Sequence, residues 1–196
     1  MTTPEQGKPT GRKRKPPLLE LVVDPEDHAD EIERFRDKVV VPPTAANGTP
    51  SPMCSLWRGA VGDDGYGRFS ITRGGHEYTV KPHRYAVAWK LGIAVAYGQV
   101  IEHIDCDNPL CCYADPDPVL GHIWPSTQAE NLRRMAHKGR GGGSGWWRRK
   151  WSGLNRRERA ERSNQLRNAV KNGWDEARVK EVLMRIDPAQ TALFTV

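Results

Sequence analysis

The stretch from Asp105 to Pro125 holds four prolines and three of the chain's four cysteines, and no other segment constrains the fold as much. An irregular run of this length is uncommon inside a compact domain unless something ties it down, and a bound metal does so. A disulfide is the less suitable tie. The start, Met1-Thr2-Thr3-Pro4, is polar, and the basic cluster Arg12-Lys13-Arg14-Lys15 runs into Pro16-Pro17 rather than an apolar segment. We therefore expect a cytoplasmic protein with reduced thiols, whose cysteines read as metal ligands.

The order of polar side chains around this stretch sharpens the reading. His103, Cys106, Cys111, His122 and Asn131 follow one another, with Cys54 upstream. Soft thiolates and an imidazole suit a closed four-coordinate zinc site. His103 at the end of an expected strand, and Asn131 four residues into the helix expected from Thr127 to Lys138, then remain for a harder ion.

Around this set the chain reads as α+β. Residues 1–50 are expected to be largely disordered, with one helix over Asp24 to Lys38 whose apolar positions are Ile32, Phe35 and Val39. Residues 42–52 form a Pro-rich linker. Leu56-Trp57, the turn at Gly62-Asp63-Asp64-Gly65, and Tyr66 to Ile71 read as a β-hairpin, followed by a strand over His76 to Val80. Pro82 opens a helix to about Leu91, closed by Gly92, with Tyr85, Ala88 and Trp89 facing the core. Trp57 also reads as core, and His83-Arg84 as structural. A short apolar strand ends near Glu102-His103.

These residues carry a resemblance. Trp57-Arg58-Gly59, Gly65-Tyr66-Gly67-Arg68-Phe69, His83-Arg84-Tyr85, His103 with Cys106-Asp107-Asn108-Pro109-Leu110-Cys111, His122-Ile123 and Thr127-Gln128-Ala129-Glu130-Asn131 resemble the HNH (His-Me finger) endonucleases. The resemblance is to the phage and mobile-element type, and the arrangement is similar to the His-Cys box homing endonucleases. It implies a small ββα-metal domain over 51–140 in which His103 activates water and Asn131 holds one catalytic Mg2+. Glu102 stands where some members carry a second acidic ligand, and Arg68 resembles the arginine that approaches the phosphate. It further implies structural Zn2+ on Cys54, Cys106, Cys111 and His122. Two departures from the family spacing stand out. Cys106 lies three residues after His103, where two is usual, and about six extra residues precede His122, which makes Cys112 a rival fourth ligand.

Charge adds a partner. Residues 132–196 carry 16 basic and 6 acidic side chains, whereas 1–131 are net acidic, so the formal +6 of the chain comes from its last third. Arginine outnumbers lysine there and tryptophans are interleaved, which points to a polyanion, DNA by the resemblance. Arg140, Arg148, Arg149, Lys150, Arg156 and Arg157 are the candidate contacts. Residues 141–152 read as a Gly-rich basic linker, and 153–196 as a helical appendage with helices over Asn155 to Asn172 and Asp175 to Arg185. The two helices read either as a helix-turn-helix-like pair or as a packing-only hairpin with Leu166, Val170, Val179, Val182 and Leu183 as its seam. No apolar run reaches 18 residues, so a membrane span is not expected. The function expected is a metal-dependent DNA endonuclease, homing or phage nicking in setting. The alternative is a catalytically inactive zinc-stabilised DNA-binding protein of the same fold.

Overall fold

The computed structural model describes residues 15–44, 54–104, 106, 108–137 and 154–184. They form a mixed α+β architecture in the order β1 (Glu20–Leu21), α1 (Ala29–Asp37), β2 (Val39–Val40), β3 (Leu56–Trp57), β4 (Phe69–Arg73), β5 (His76–Val80), α2 (Pro82–Leu91), β6 (Val95–Ala96), β7 (Val100–His103), β8 (Ile123–Ser126), α3 (Gln128–His137), α4 (Arg156–Ala169) and α5 (Glu176–Met184). The strands pair antiparallel in four small sheets: β1 with β6, β2 with β3, β4 with β5, and β7 with β8. Among the described residues no helix is long and apolar enough to cross a membrane.

Phe35 stands at the centre of the core. Its ring lies 4.6 Å from Tyr85, 5.4 Å from Phe69, 5.6 Å from Trp57 and 6.1 Å from Trp89, centroid to centroid. Tilted and edge-on contacts at such separations add to the gain from burial. This overturns the expected placement of the N-terminal region. Far from lying outside the packed unit, residues 20–40 supply Leu21, Val23, Ile32, Phe35 and Val40 to the core, and two of the four sheets need a strand from them. Helix α1 is also shorter than the periodicity implies. Asp24 accepts the Glu26 and Asp27 amides at 2.8 and 3.1 Å in a turn, so the helix starts only at Ala29. Val39 ends up in β2 instead of on the helical face.

The expected hairpin from Leu56 to Ile71 is corrected too. Strand β3 pairs with β2 and bridges to Cys111, while Val61 and Gly67 form only an isolated bridge across the Gly62–Gly65 turn. The regular hairpin is β4–β5, turning through Gly74 and Gly75 at φ +55° and +74°, a conformation glycine adopts without steric cost. Phe69 and Ile71 point inward and Ser70 and Thr72 outward, the alternation a half-buried strand requires. Helix α2 matches its expected bounds, with Pro82 in its first turn and Gly92 left-handed at its end. The irregular stretch stops earlier than expected, because β8 begins at Ile123 and carries Pro125 opposite Ile101. A two-stranded sheet is all edge, so the missing proline N–H costs no interior pairing.

Helix α4 is capped reciprocally. Asn155 Oδ1 accepts the Glu158 amide at 3.0 Å, and Glu158 accepts the Asn155 amide at 2.8 Å. Leu166, Val170 and Val179 are fully buried in the α4–α5 seam, with Val182 and Leu183 partly buried beside them. The pair is not a detached appendage. Arg156 reaches Asp63 at 2.6 Å, and Arg58 donates to the Lys171 carbonyl at 3.4 Å.

Candidate metal centre

The chain between β7 and β8 is shaped by short-range hydrogen bonds before any metal is considered. Asn108, almost fully buried, accepts the Leu110 amide on its side chain at 3.0 Å and the Cys111 amide on its carbonyl at 2.9 Å. The resulting turn lays 110–112 beside β3: Trp57 donates to the Leu110 carbonyl at 2.9 Å, and Cys112 donates to the Ser55 carbonyl at 2.8 Å. Cys54, one residue before that pairing, is thereby carried to Cys111. The extra residues before His122 close on themselves through Asp115 and Asp117, which accept the Asp117 and Val119 amides at 2.9 Å each. The loop returns where His122 donates to the Tyr113 carbonyl at 2.9 Å, with the two rings 5.0 Å apart.

These turns bring one ligand atom each from Cys54, Cys106, Cys111 and His122 within 4.8 Å of one another. Three sulfurs and an imidazole nitrogen, with Cys111 and His122 buried, are a donor set that fits a tetrahedral ion such as zinc. The set corresponds to the one expected, and it decides between the two rivals. His122 Nδ1 lies 3.8 Å from Cys111 Sγ, whereas Cys112 Sγ faces the Leu110 carbonyl at 3.6 Å, outside the group. Burial pushes the Cys112 thiol well up, so it stays protonated and inert. Within the group, hydrogen bonds from Cys111 and Cys54 hold the Cys106 thiol far down despite its burial. Its thiolate pushes Cys54 up in turn, and burial followed by the same thiolate pushes Cys111 up. A bound cation would favour the thiolate form of all three.

His103 ends β7, opposite Ile123, and its Nδ1 lies 3.8 Å from Cys106 Sγ. Its Nε2 is buried and has no hydrogen-bond partner among the described residues. The ring packs edge-on to His83 at 5.1 Å and lies 6.3 Å from Tyr66. Burial, then the neighbouring His103 and Lys81, drive the His83 imidazole well below its ordinary value, so it stands neutral. Asn131 lies in the first turn of α3, half-buried, its amide 3.8 Å from Met135 Sδ. The helix start is held by Thr127, whose hydroxyl accepts the Glu130 amide at 3.1 Å while Glu130 accepts the Thr127 amide at 3.0 Å.

Two further candidates are engaged by other protein groups. Glu102 is buried and ion-paired to Arg134 of α3. Arg68 pairs with Asp64 at 2.8 Å and donates to the Tyr66 and Gly67 carbonyls at 3.2 Å each, pinning the Gly62–Gly65 turn. Arg156 lies on Asp63, and Arg157 on Glu161 at 2.8 Å. Arg140, Arg148, Arg149 and Lys150 lie outside the described residues.

The sequence reading passed over Lys81. It caps α2 with no side-chain hydrogen bond to the helix, and its Nζ sits 4.0 Å above the Tyr66 ring. A lysine where helices favour Ser, Thr, Asp or Asn was the available signal. Compared with protein-family models, with curated proteins and with solved structures, the chain gives no match.

Proposed function

We propose that the chain is a metal-dependent DNA endonuclease of the HNH (His-Me finger) type, hydrolysing phosphodiester bonds. The observation that carries the reading is His103: a strand-end imidazole with Nδ1 toward a metal-site cysteine and Nε2 buried without a partner. Strand β7, the Cys/His-held loop, β8 and α3 follow in the order that a ββα-metal finger requires. With its proton on Nδ1, toward Cys106, His103 presents the Nε2 lone pair. It takes a proton from water as the water oxygen bonds to phosphorus, and the 3′ oxygen leaves, giving a 5′ phosphate and a 3′ hydroxyl. Asn131 is the protein oxygen donor assigned to Mg2+, an ion that needs few protein ligands when substrate phosphate supplies others. When bound, it would offset charge on the phosphate and the leaving oxygen. Zinc on the four-residue cluster is structural: it ties the loop that sets the end of β7.

Relaxation of supercoiled plasmid tests this directly. Nicking is expected with Mg2+, not without it, and His103→Ala should reduce the rate by about 10²-fold or more at unchanged zinc content. Equal nicking by wild type and His103→Ala would remove the assignment. The second reading, an inactive zinc-stabilised DNA-binding protein, draws on Glu102 and Arg68, whose charges are already paired within the protein. Binding of DNA with no cleavage by any variant would favour it.

A further inference from the structure

Beside His103 lies a concentration of positive charge with too few acids to balance it. Lys81 Nζ stands 4.0 Å above the Tyr66 ring, and that ring also lies beside His83 at 5.3 Å and His103 at 6.3 Å. The ammonium and the proposed base are thus both neighbours of one aromatic ring. Helix α4 arrives at the same turn. Gly65 has φ +82°, and a Cβ there would fall 2.7 Å from Arg159 Cγ and 3.0 Å from the Arg159 carbonyl. Only glycine lets the helix lie so close.

Asp63 and Asp64 are the acids of this turn, and both are already spent: Asp63 on Arg156 at 2.6 Å, and Asp64 on Arg68 at 2.8 Å and on the Tyr66 amide at 3.1 Å. Arg84 donates to the carbonyls of Gln99, Ala96 and Tyr97 and meets no carboxylate there. Among the described residues neither Lys81 nor Arg159 makes an ion pair. Burial lowers the Lys81 pKa; Asp64 opposes this, while Arg68, Arg84 and Arg159 each lower it further. A half-buried ammonium among three guanidiniums is costly until an anion joins it. The N-terminal end of α2, which Lys81 caps, adds the positive pole of the helix at the same place.

We propose that Lys81 and Arg159, brought together at the Gly62–Tyr66 turn, form a subsite for a backbone phosphate of the nucleic acid, beside the Tyr66 ring that His103 also neighbours. The inference rests on the nuclease reading for its ligand, and it gives the C-terminal helices a part in the site. The charge belongs to the phosphate and not to a base, so the subsite is independent of sequence.

The test is the salt dependence of binding, measured with the full chain on a fluorescent DNA duplex without divalent cation across a KCl series. Each neutralised phosphate contributes about 0.9 to the slope of log K against log salt. Lys81→Met keeps the apolar stem on Tyr66 and removes the charge, and Arg159→Gln does the same on α4. Each is expected to lower the slope by about 0.9 and the double variant by about 1.8. Lys81→Arg should hold the wild-type slope. So should Lys90→Gln, an exposed lysine in the last turn of α2, at the end of that helix away from Lys81. Melting temperature and zinc content, measured alongside, identify a variant that loses binding by failing to fold; the slope of the other variant then decides. Wild-type slopes in Lys81→Met and Arg159→Gln, or no binding of DNA by the wild type, would overturn the subsite. Lowered slopes in a protein that never cleaves would uphold the subsite and remove the nuclease.

Discussion

A metal held by Cys54, Cys106 and Cys111 needs one more donor, and His122 and Cys112 both lie close to Cys111. Backbone direction separates them. Cys112 points into the core toward the Leu110 carbonyl, while the loop brings His122 back to the sulfurs. Elemental analysis is expected to find one zinc per chain, retained by Cys112→Ser and lost in Cys106→Ser, Cys111→Ser and His122→Ala. Loss of metal from Cys112→Ser would move the fourth place. The ligand types were legible in the sequence because thiolate and imidazole chemistry is local to the residue. The choice between neighbours was not, because it depends on how the loop before His122 closes through Asp115 and Asp117. Lys81 was missed for a related reason: its meaning comes from Tyr66 and Arg159, which are distant in the chain. A second buried charge gives a pH signature. Arg73 holds Glu31 in two hydrogen bonds of 2.8 and 2.9 Å. Burial pushes the Glu31 carboxyl up, but Arg73 outweighs it and the net shift is downward from 4.5. A depressed folded value means the stabilisation is complete above the unfolded value near 4.5 and disappears as pH falls through the lower folded one. Glu31→Gln should cost about 2 kcal/mol at neutral pH and flatten the acid limb of a melting-temperature profile. An unchanged acid limb would assign the acid sensitivity elsewhere.

At the scale of elements, local signals located α2, α3, α4 and the strand His76–Val80 closely, because caps, prolines and glycines act within a few residues. Pairing of the two-residue strands was not legible. Leu56–Trp57 carries no mark that says whether it pairs with Tyr66–Ile71 or with Val39–Val40, and burial of Trp57 against Phe35 decides it. Two-residue strands have too few hydrogen bonds to hold a register alone, so tertiary packing sets them. The cap of α3 is a test at this scale. Thr127→Ala removes the hydroxyl that accepts the Glu130 amide, and a loss of about 1 kcal/mol is expected in denaturant unfolding. Since α3 carries Asn131 and packs against β7, the same variant should slow nicking while leaving DNA affinity intact. A loss of affinity equal to the loss of rate would mean the helix start holds DNA instead of positioning Asn131.

Over the whole molecule, the segment that carries the Cys/His cluster does not pack on its own. Motif reading places the unit at 51–140, a size at which a tied loop and a few strands could stand alone. The aromatic cluster says otherwise. Phe35 touches Trp57, Phe69, Tyr85 and Trp89, and each of those four comes from the 51–140 segment. Without residues 1–44 they would line an open cavity, β3 and β6 would lose their partners, and Arg73 would lose Glu31. Truncating one buried phenylalanine costs about 3–5 kcal/mol, comparable to the whole stability of a marginal domain. A chain beginning at residue 45 is therefore expected to bind zinc weakly and to unfold without a cooperative transition in circular dichroism. Phe35→Ala in the full chain is the milder version. It should unfold cooperatively but at a melting temperature lower by roughly 10 °C or more, the shift that 3–5 kcal/mol produces in a chain of this size. If the truncated chain instead melts cooperatively with stoichiometric zinc, the finger folds by itself and the N-terminal segment is only its cover.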